Sequence, residues 1–353
     1  FPSHPSSEKF MPTTTGVQND ILASTLRILR DKYVDNTFKI IPLLDAIQTL
    51  GNVEDVDGGS YIDSPVILTD HSSITQLSTG YEAVSLAVKD PLRTATYSWC
   101  DAVAPVVITR KEELSNKGPR AVIRIAEARL KQTMGMFKRE IEKQLIRGNS
   151  TILTDLQTLN GLDGTANGDT GWFEGNAAFG AQTNSVGGIS KGGFPKSWQN
   201  QVQDGSFAAN GLKKMQAMLI DCQQFAPEGD VDIILASPIS YGLYKDQLQQ
   251  LERYVSSSEQ RNMAGRLALE FNGAAMYIEP NLGFTGGAGA NKMSMYFLNS
   301  QLFNVYFDRD AKFELSDMEN ISGYAAMSSQ IAVRMQICTS NLSGHGVLVN
   351  AET

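Results

Sequence analysis

The sequence predicts an α+β fold organised around one long helix with strand-forming segments on either side. Between Pro119 and Arg147, apolar residues recur three and four positions apart, which is the spacing of one helix face. The segment 94–109 before it is rich in β-branched and aromatic residues, and strand-like segments return after residue 273. At ~1.5 Å per residue the helix is roughly 40 Å long, enough to lie across a sheet.

Both ends of this helix carry the expected signals. Pro119 suits the first turn because its missing N–H has no partner there anyway, and Gly148 is a good stop. The helix therefore spans 119–147. Its predicted apolar stripe consists of Ile123, Ala126, Leu130, Met134, Phe137, Ile141 and Leu145.

The opposite face of the helix is basic, and Arg124, Lys131 and Lys138 recur along it every seven residues. One interpretation is a weakly cationic surface that faces nucleic acid. The other is a solvated face whose charges pair at helix spacing with Glu127, Glu140 and Glu142.

The length, composition and net charge of the chain argue for some classes of protein and against others. The chain has 353 residues with 42% hydrophobic residues, which is enough for two domains with a sizeable core. A net charge of −8 argues against a dedicated nucleic-acid binder, since such proteins are normally basic. The 19% of charged residues is low, which favours a protein that buries surface against copies of itself.

Three cysteines, Cys100, Cys222 and Cys338, lie far apart and form no CxxC pair. We predict three buried free thiols, with neither a zinc ribbon nor a disulfide framework. No apolar run reaches the roughly 18 residues of a membrane span, and no signal-peptide pattern opens the sequence. No membrane partner is expected.

The segments before the long helix are too small to hold a core. Residues 1–16 predict a flexible tail, 19–29 a capped helix, and 42–50 a short helix that Gly51 stops. Residues 53–92 predict a two-stranded ribbon, with strands near 61–68 and 81–88. A ribbon of two strands is marginal in water, so we expect it to lie on a neighbouring molecule.

After the long helix the pattern alternates. Residues 160–203 are rich in loops, 206–225 and the segment from Pro238 predict helices, and 231–236 predicts a buried strand. Further strands are predicted at 274–278, 293–298, 302–307, 313–315 and 325–338. This alternation indicates an α/β domain from about 153 to 299.

Patterns for catalysis, cofactors and metals are incomplete. The glycine-rich loop 283–292 lacks the Walker order of lysine and hydroxyl, and Glu54, Asp55 and Asp57 lack the spacing of a calcium loop. Neither HExxH nor GxSxG occurs. We therefore expect no enzyme, no catalytic residue, no cofactor and no metal. A hydrolase with a metal site built from Asp163, Asp169 and Asp232 is a distant alternative.

Several short motifs follow one another along the chain. They are NGLDG at 160–164, DIILASP at 232–238 with Tyr241 and Tyr244, FNGA at 271–274 with Glu279-Pro280, MYFLN at 295–299 followed by FEL at 313–315, and QICTSNL at 336–342 followed by HGVL at 345–348. In this order, over about 21–349, the chain resembles the major capsid protein of tailed bacteriophages, with its Hong Kong 97-type fold.

The resemblance implies an α+β architecture of four parts. These are an N-terminal arm (1–50), an extended β-hairpin loop (51–93), a peripheral domain (94–152 and 300–342) with the spine helix 119–147, and an α/β axial domain (153–299 and 343–353). It also implies self-assembly into pentamers and hexamers of an icosahedral shell around a double-stranded DNA genome. An encapsulin-like nanocompartment shares this fold and is the alternative.

Partners and location follow from the resemblance as well. Scaffold, portal and decoration proteins are implied besides the chain itself, and packaged double-stranded DNA would be contacted weakly and without sequence specificity. The protein would reside in the virion capsid after assembly in the host bacterial cytoplasm. We expect inter-subunit contacts at Glu82, Lys89 and Arg93, and a lumen-facing basic helix face at Arg124, Lys131 and Lys138.

Overall fold

The computed structural model describes residues 41–69, 74, 76–83, 91–115, 119–161, 171–226, 229–252, 269–285 and 291–352. The predicted tail and the helix at 19–29 lie outside these residues. The described helices are α1 (Pro42–Leu50), α2 (Arg110–Ser115), α3 (Pro119–Arg147), α4 (Phe207–Phe225) and α5 (Pro238–Glu252).

The described strands are short, except for three that belong to one sheet. They are β1 (Val53–Val56), β2 (Tyr61–Ile67), β3 (Leu92–Ser98), β4 (Cys100–Thr109), β5 (Ser185–Val186), β6 (Ile189–Ser190), β7 (Gln201–Asp204), β8 (Ile233–Ala236), β9 (Leu269–Phe271), β10 (Ala274–Ile278), β11 (Phe284–Thr285), β12 (Lys292–Leu298), β13 (Phe303–Leu315), β14 (Glu319–Asn320), β15 (Ala326–Thr339) and β16 (Gly346–Val349).

The predicted helix bounds are confirmed for the long helix and for α1. The α3 helix begins at Pro119 and ends at Arg147, and Gly148 follows it with a left-handed φ of 69°. Of the predicted stripe, Phe137, Ile141 and Leu145 are buried, as the spacing predicts. The side chains of Ile123 and Ala126 lie outside the described residues.

The chain divides into two compact units. The smaller unit takes its described residues from Val103–Met136 and Leu315–Ile331, and the larger unit takes them from Lys39–Ala102, Phe137–Glu314 and Ala332–Thr353.

The larger unit contains a mixed sheet with the strand order β7-β16-β12-β8-β10-β9, and β11 pairs with β12. Its central strand β8 pairs in parallel with β10 and antiparallel with β12. All four residues of β8 are buried, which confirms the prediction of a continuous apolar strand. Helices α4 and α5 pack on this sheet, and their shared core includes Phe207, Met215, Met218, Tyr244, Ile234 and Phe297.

A second sheet has the order β1-β13-β15-β14, with β4 also paired to β15. In the larger unit β1 runs parallel to β13, and the C-terminal half of α3 packs against β13 through Phe137. The Phe137 and Phe313 rings meet edge to face with centroids 5.9 Å apart. The sequence predicted two strands at 302–307 and 313–315, whereas the structure has one strand with a positive φ at Phe313.

The smaller unit has its own hydrogen-bonded framework. Helix α2 begins where β4 ends, and Glu112 accepts hydrogen bonds from the Thr109 N–H and hydroxyl, both at 2.9 Å. The Arg129 guanidinium bonds Glu112 Oε2 at 3.1 Å and the Val107 carbonyl at 2.7 Å. Burial raises the pKa of Glu112, but these hydrogen bonds outweigh it and the net pKa is lowered.

The ribbon differs from its prediction in one strand. Strand β2 lies where expected, but its antiparallel partner is β3, so that Tyr61 faces Ser98 and Ile67 faces Leu92. Of the predicted second strand at 81–88, residues 81–83 are not strand and residues 84–88 lie outside the described residues. The predicted single run 94–109 divides at Trp99, because β3 pairs with β2 whereas β4 pairs with β15.

The thiols are as predicted. Cys100, Cys222 and Cys338 are buried and free, and burial raises the pKa of Cys100 to about 12. Among the described helices, none combines the length and apolar character that a membrane crossing requires.

Candidate assembly surfaces

The exposed face of the β2–β3 ribbon carries large apolar side chains among polar ones. Side chains on alternate positions of β2 point outward, and Tyr61 and Ile67 are 63% and 72% exposed. Leu92 on β3 is 55% exposed. In the segment between β2 and β3, Ile74 and Tyr81 are almost fully exposed. Exposed apolar side chains that lie together on one face are candidates for contact with another molecule.

The opposite face of the ribbon is anchored to the larger unit. Ala95 and Tyr97 are buried against the β5–β6 hairpin, whose turn contains Gly187. The Thr96 N–H donates to the Gly187 carbonyl at 2.9 Å. Gly187 has a φ of +58°, and a Cβ there would lie 2.9 Å from the Ala95 Cβ. The approach therefore requires glycine.

Arg334 on β15 fixes the start of the ribbon. Its guanidinium donates to the Gly59 carbonyl at 3.0 Å and to Asp308 Oδ2 at 3.2 Å. Its Nε lies 3.2 Å from Asp101 Oδ1, an ion pair that lacks the alignment of a hydrogen bond. The same group lies over the Trp99 ring at 5.1 Å from the centroid. One side chain thus joins β4, β13 and the turn before β2.

The acidic segment that includes β1 pairs with cations and an amide of the same chain. Asp55 contacts Lys312 at 2.6 Å, Asp57 contacts Arg309 at 2.8 Å, and Glu54 accepts a hydrogen bond from the Asn304 amide at 2.7 Å. These pairs are solvent-exposed, so each contributes little to stability. They tie β1 and the turn after it to β13.

The three predicted inter-subunit residues have different surroundings. Glu82 stabilises the turn that contains Ser78 and Thr79. Its carboxylate accepts hydrogen bonds from the hydroxyl and N–H of Ser78 and from Thr79. The Ser78 hydroxyl bond is the largest cause of the lowered pKa of Glu82. Arg93 is exposed on β3, with its guanidinium 6.0 Å from the Phe194 ring centroid. Lys89 lies outside the described residues.

The basic face of α3 is only partly described. Lys131 is exposed and Lys138 is half-buried, while the Arg124 side chain lies outside the described residues. Glu140 forms an ion pair with Lys143 at 3.7 Å, as expected for a solvated face. The prediction for Glu142 is wrong: this side chain is only 1% exposed, because it faces α1 and Glu279 instead of solvent.

The sequence did not predict the burial of Lys191, a lysine in the loop-rich region. Lys191 Nζ donates to the Trp172 carbonyl at 2.7 Å, to Asn200 Oδ1 at 2.9 Å and to Gln182 Oε1 at 3.2 Å. Burial lowers the pKa of Lys191 to about 7, although the nearby Glu174 partly offsets it. No local pattern marks this position, since Lys191 sits among glycines in the sequence.

Of the residues of the alternative metal site, only Asp232 belongs to the described part of the chain. Asp232 Oδ1 accepts a hydrogen bond from the Ser300 N–H at 2.9 Å, which orients the turn before β13. Asp163 and Asp169 lie outside the described residues. Within those residues, no three histidine, cysteine or acidic side chains group as metal ligands.

Solved structures with the same architecture come from viral and encapsulin shells. The cyanophage A-1(L) capsid matches with a TM-score of 0.60 at 15% identity, over 92% of this chain and 98% of that one. The holo-SrpI encapsulin of Synechococcus elongatus PCC 7942 matches with 0.54 at 12% identity, over 96% of each chain. The capsid of the native GTA particle matches with 0.53 at 12% identity, over 93% and 96%. No protein-family model and no curated protein matches the sequence.

The chain therefore has the Hong Kong 97-type fold. The matches extend over more than nine tenths of each chain, so the likeness covers the whole architecture and not one shared motif. The α+β fold that the sequence motifs predicted is confirmed.

Proposed function

We propose that this protein is the major capsid protein of a tailed bacteriophage, a structural subunit that assembles into pentamers and hexamers. The resulting icosahedral shell would enclose a double-stranded DNA genome. The observation that carries this proposal is the β2–β3 ribbon, which is anchored on one face by Ala95 and Tyr97 and exposes Tyr61, Ile67 and Leu92 on the other.

The ribbon needs a partner surface for a physical reason. Burial of apolar area is the dominant favourable term in most protein association, at about 25 cal/mol per Å². Within the single chain Tyr61, Ile67 and Leu92 remain 63%, 72% and 55% exposed, so more than half of this gain is not realised. A second copy that covers the ribbon would supply it, and a head-to-tail contact of this kind closes into rings.

The negative net charge fits a shell protein that binds the enclosed DNA only weakly. The chain carries a net charge of −8, and the eight lysines and arginines of α3 share that helix with three glutamates. Affinity for DNA grows with the number of phosphates that a protein neutralises, so contact with packaged DNA would be weak and non-specific. The protein would reside in the virion, with scaffold, portal and decoration proteins as further partners.

Electron microscopy of the full chain, with size-exclusion chromatography beside it, tests the proposal. The wild type should form closed shells, rings or tubes. Ile67→Asp places a charge on the exposed apolar face and should give folded free subunits. Asp63→Ser changes an exposed polar residue of the same strand and should assemble like the wild type. A wild type that stays monomeric when its scaffold protein is co-expressed, or Ile67→Asp shells identical to wild type, would contradict the proposal.

An encapsulin-like nanocompartment is the second candidate, because the encapsulin match covers 96% of both chains. The two candidates differ in content, since one encloses a genome and the other a protein cargo. Nuclease-protected DNA inside particles from the native source would support the phage capsid. Particles that contain protein cargo and no genome would support the nanocompartment.

A further inference from the structure

Two glutamate side chains face each other in the interior of the larger unit. Glu142 lies on the C-terminal half of α3, and Glu279 follows directly after β10. Their exposed fractions are 1% and 0%. The two carboxyl groups are within hydrogen-bonding reach of one another. An isolated carboxylate is costly to bury, and two adjacent ones are costlier still.

The remaining partners of the pair leave one oxygen without a donor. Glu142 accepts the Leu43 N–H at 2.8 Å and the Leu44 N–H at 3.1 Å, both from the first turn of α1. Glu279 Oε1 accepts the N–H of Asn281 at 2.9 Å and its side-chain amide at 2.8 Å. Glu279 Oε2 is buried and accepts from no donor among the described residues if both groups are ionised.

One proton between the two carboxyl groups supplies the missing donor. We propose that Glu142 and Glu279 share a single proton, and that this proton locks together the junction of α1, α3 and the end of β10. Loss of the proton as the pH rises leaves two buried carboxylates in contact, so the junction loosens. The inference concerns the fold of one subunit and does not depend on shell formation.

The electrostatics agree with the geometry. Burial, and then the neighbouring Glu279, raise the pKa of Glu142 well above its usual range, and burial also raises the pKa of Glu279. The proton belongs to the pair and is not assigned to one residue.

Other ionisable groups on the surrounding elements do not replace this proton. On β12, Tyr296 donates to the Ile146 carbonyl at 3.4 Å, and burial raises the pKa of Tyr296, so its hydroxyl stays neutral. The elements that meet at the junction also carry Asp45 on α1 and, on α3, half-buried Lys138, Arg139, Glu140 and Lys143 and exposed Arg147.

The sign of the pH effect follows from linkage. Between the usual glutamate pKa of about 4.3 and the raised value of the pair, the folded chain binds one proton more than the unfolded chain. Stability therefore falls as pH rises through this window. For one linked proton, the folding equilibrium constant falls about tenfold per pH unit.

Glu279→Gln tests the shared proton directly, because the amide N–H replaces it at every pH while the amide oxygen can still accept from Asn281. Unfolding by urea would be followed in the full chain from about pH 6 to about pH 9. The stability of the wild type relative to Glu279→Gln should fall by up to tenfold per pH unit. Glu140→Gln, a half-buried acid on the same helix, should keep the wild-type dependence. Lys191 affects all three proteins equally, so it cancels in the ratios.

Infrared spectroscopy of the wild type gives a second readout. A protonated-carboxyl stretch should be present at neutral pH and absent from Glu279→Gln and Glu142→Gln. A pH dependence in Glu279→Gln equal to that of the wild type, or a neutral wild type without a protonated-carboxyl band, would overturn the proposal. If both variants fail to fold, titration of the wild-type band decides the question.

Discussion

The hydroxyl of Tyr97 donates a hydrogen bond to the backbone carbonyl of Thr339 at 3.2 Å, which joins the base of the ribbon to the end of β15. Tyr97 is 2% exposed, and burial raises its pKa far above the usual range of tyrosine. The hydroxyl is therefore a permanent donor. The ribbon extends from a fixed base, whatever its exposed face contacts.

Removal of this hydroxyl should cost stability without changing the shape of the subunit. We expect Tyr97→Phe to lower the free energy of unfolding by about 1 kcal/mol, the usual net value of a hydrogen bond. Tyr81→Phe removes a hydroxyl from a side chain that is 98% exposed and should change nothing measurable. Urea unfolding of both variants checks this, and equal midpoints would contradict the role given to Tyr97.

The turn of the β5–β6 hairpin contains two adjacent glycines, Gly187 and Gly188, whose substitutions can be compared. Gly187→Ala introduces a Cβ at 2.9 Å from the Ala95 Cβ on a backbone with φ +58°, and we expect a loss of about 2–3 kcal/mol. Gly188→Ala meets nothing within 4 Å at φ +76°, so only the backbone strain of about 1 kcal/mol should appear. Thermal unfolding distinguishes the two, and a Gly188→Ala loss as large as that of Gly187→Ala would refute the close approach.

Lys191 should be among the most sensitive positions of the larger unit. Lys191→Met removes a buried donor from the Trp172 carbonyl, Gln182 Oε1 and Asn200 Oδ1, of which the two side-chain oxygens keep a backbone N–H donor, and we expect a loss of about 1–3 kcal/mol. Lys196→Met changes an exposed lysine nearby and should stay within about 0.5 kcal/mol. Denaturant unfolding at neutral pH measures both losses.

The same lysine predicts a pH dependence of opposite sign to that of the glutamate pair. Its pKa is lowered to about 7, so between that value and the usual lysine value of about 10.4 the unfolded chain binds more protons. Its contribution to stability should therefore rise with pH across this range and vanish in Lys191→Met. A wild type and a variant with parallel pH profiles would contradict the lowered pKa.

Arg93 tests the predicted contact between subunits. Arg93→Glu reverses an exposed charge on β3, and we expect impaired assembly from a subunit that remains folded. Arg93→Lys keeps the charge and should assemble. Size-exclusion chromatography with electron microscopy reads out assembly, and circular dichroism reads out the fold. Normal shells from Arg93→Glu would exclude a role for this charge.

The sequence correctly predicted the helices and strands whose ends depend on residues close by in the chain. Proline at the first turn and glycine after the last one fixed both ends of α3, and the continuous apolar run fixed β8. The order of short motifs predicted the fold. In each case the indicating residues lie close in sequence to the element that they affect, so they can be recognised without the structure.

Features that depend on distant partners were not predictable. The run 94–109 reads as one strand, and its division at Trp99 arises only because β3 and β4 pair with different strands. The helical spacing of Glu142 predicts a side chain on the solvated face of α3, but in the folded chain α1 and Glu279 bury its carboxylate. Lys191 lies in a polar loop, and only the folded chain brings together its three acceptors.

The position of β16 has a consequence for how the chain is made. Strand β16 lies between β7, which it joins in parallel, and β12, which it joins antiparallel, although both neighbours are synthesised long before it. Until the ribosome has released residues 346–349, both neighbours present open strand edges to other chains. Closure of this sheet is thus a late, long-range step of folding, slow by its topology. Subunits should become competent to assemble only after that step, which separates synthesis in time from assembly.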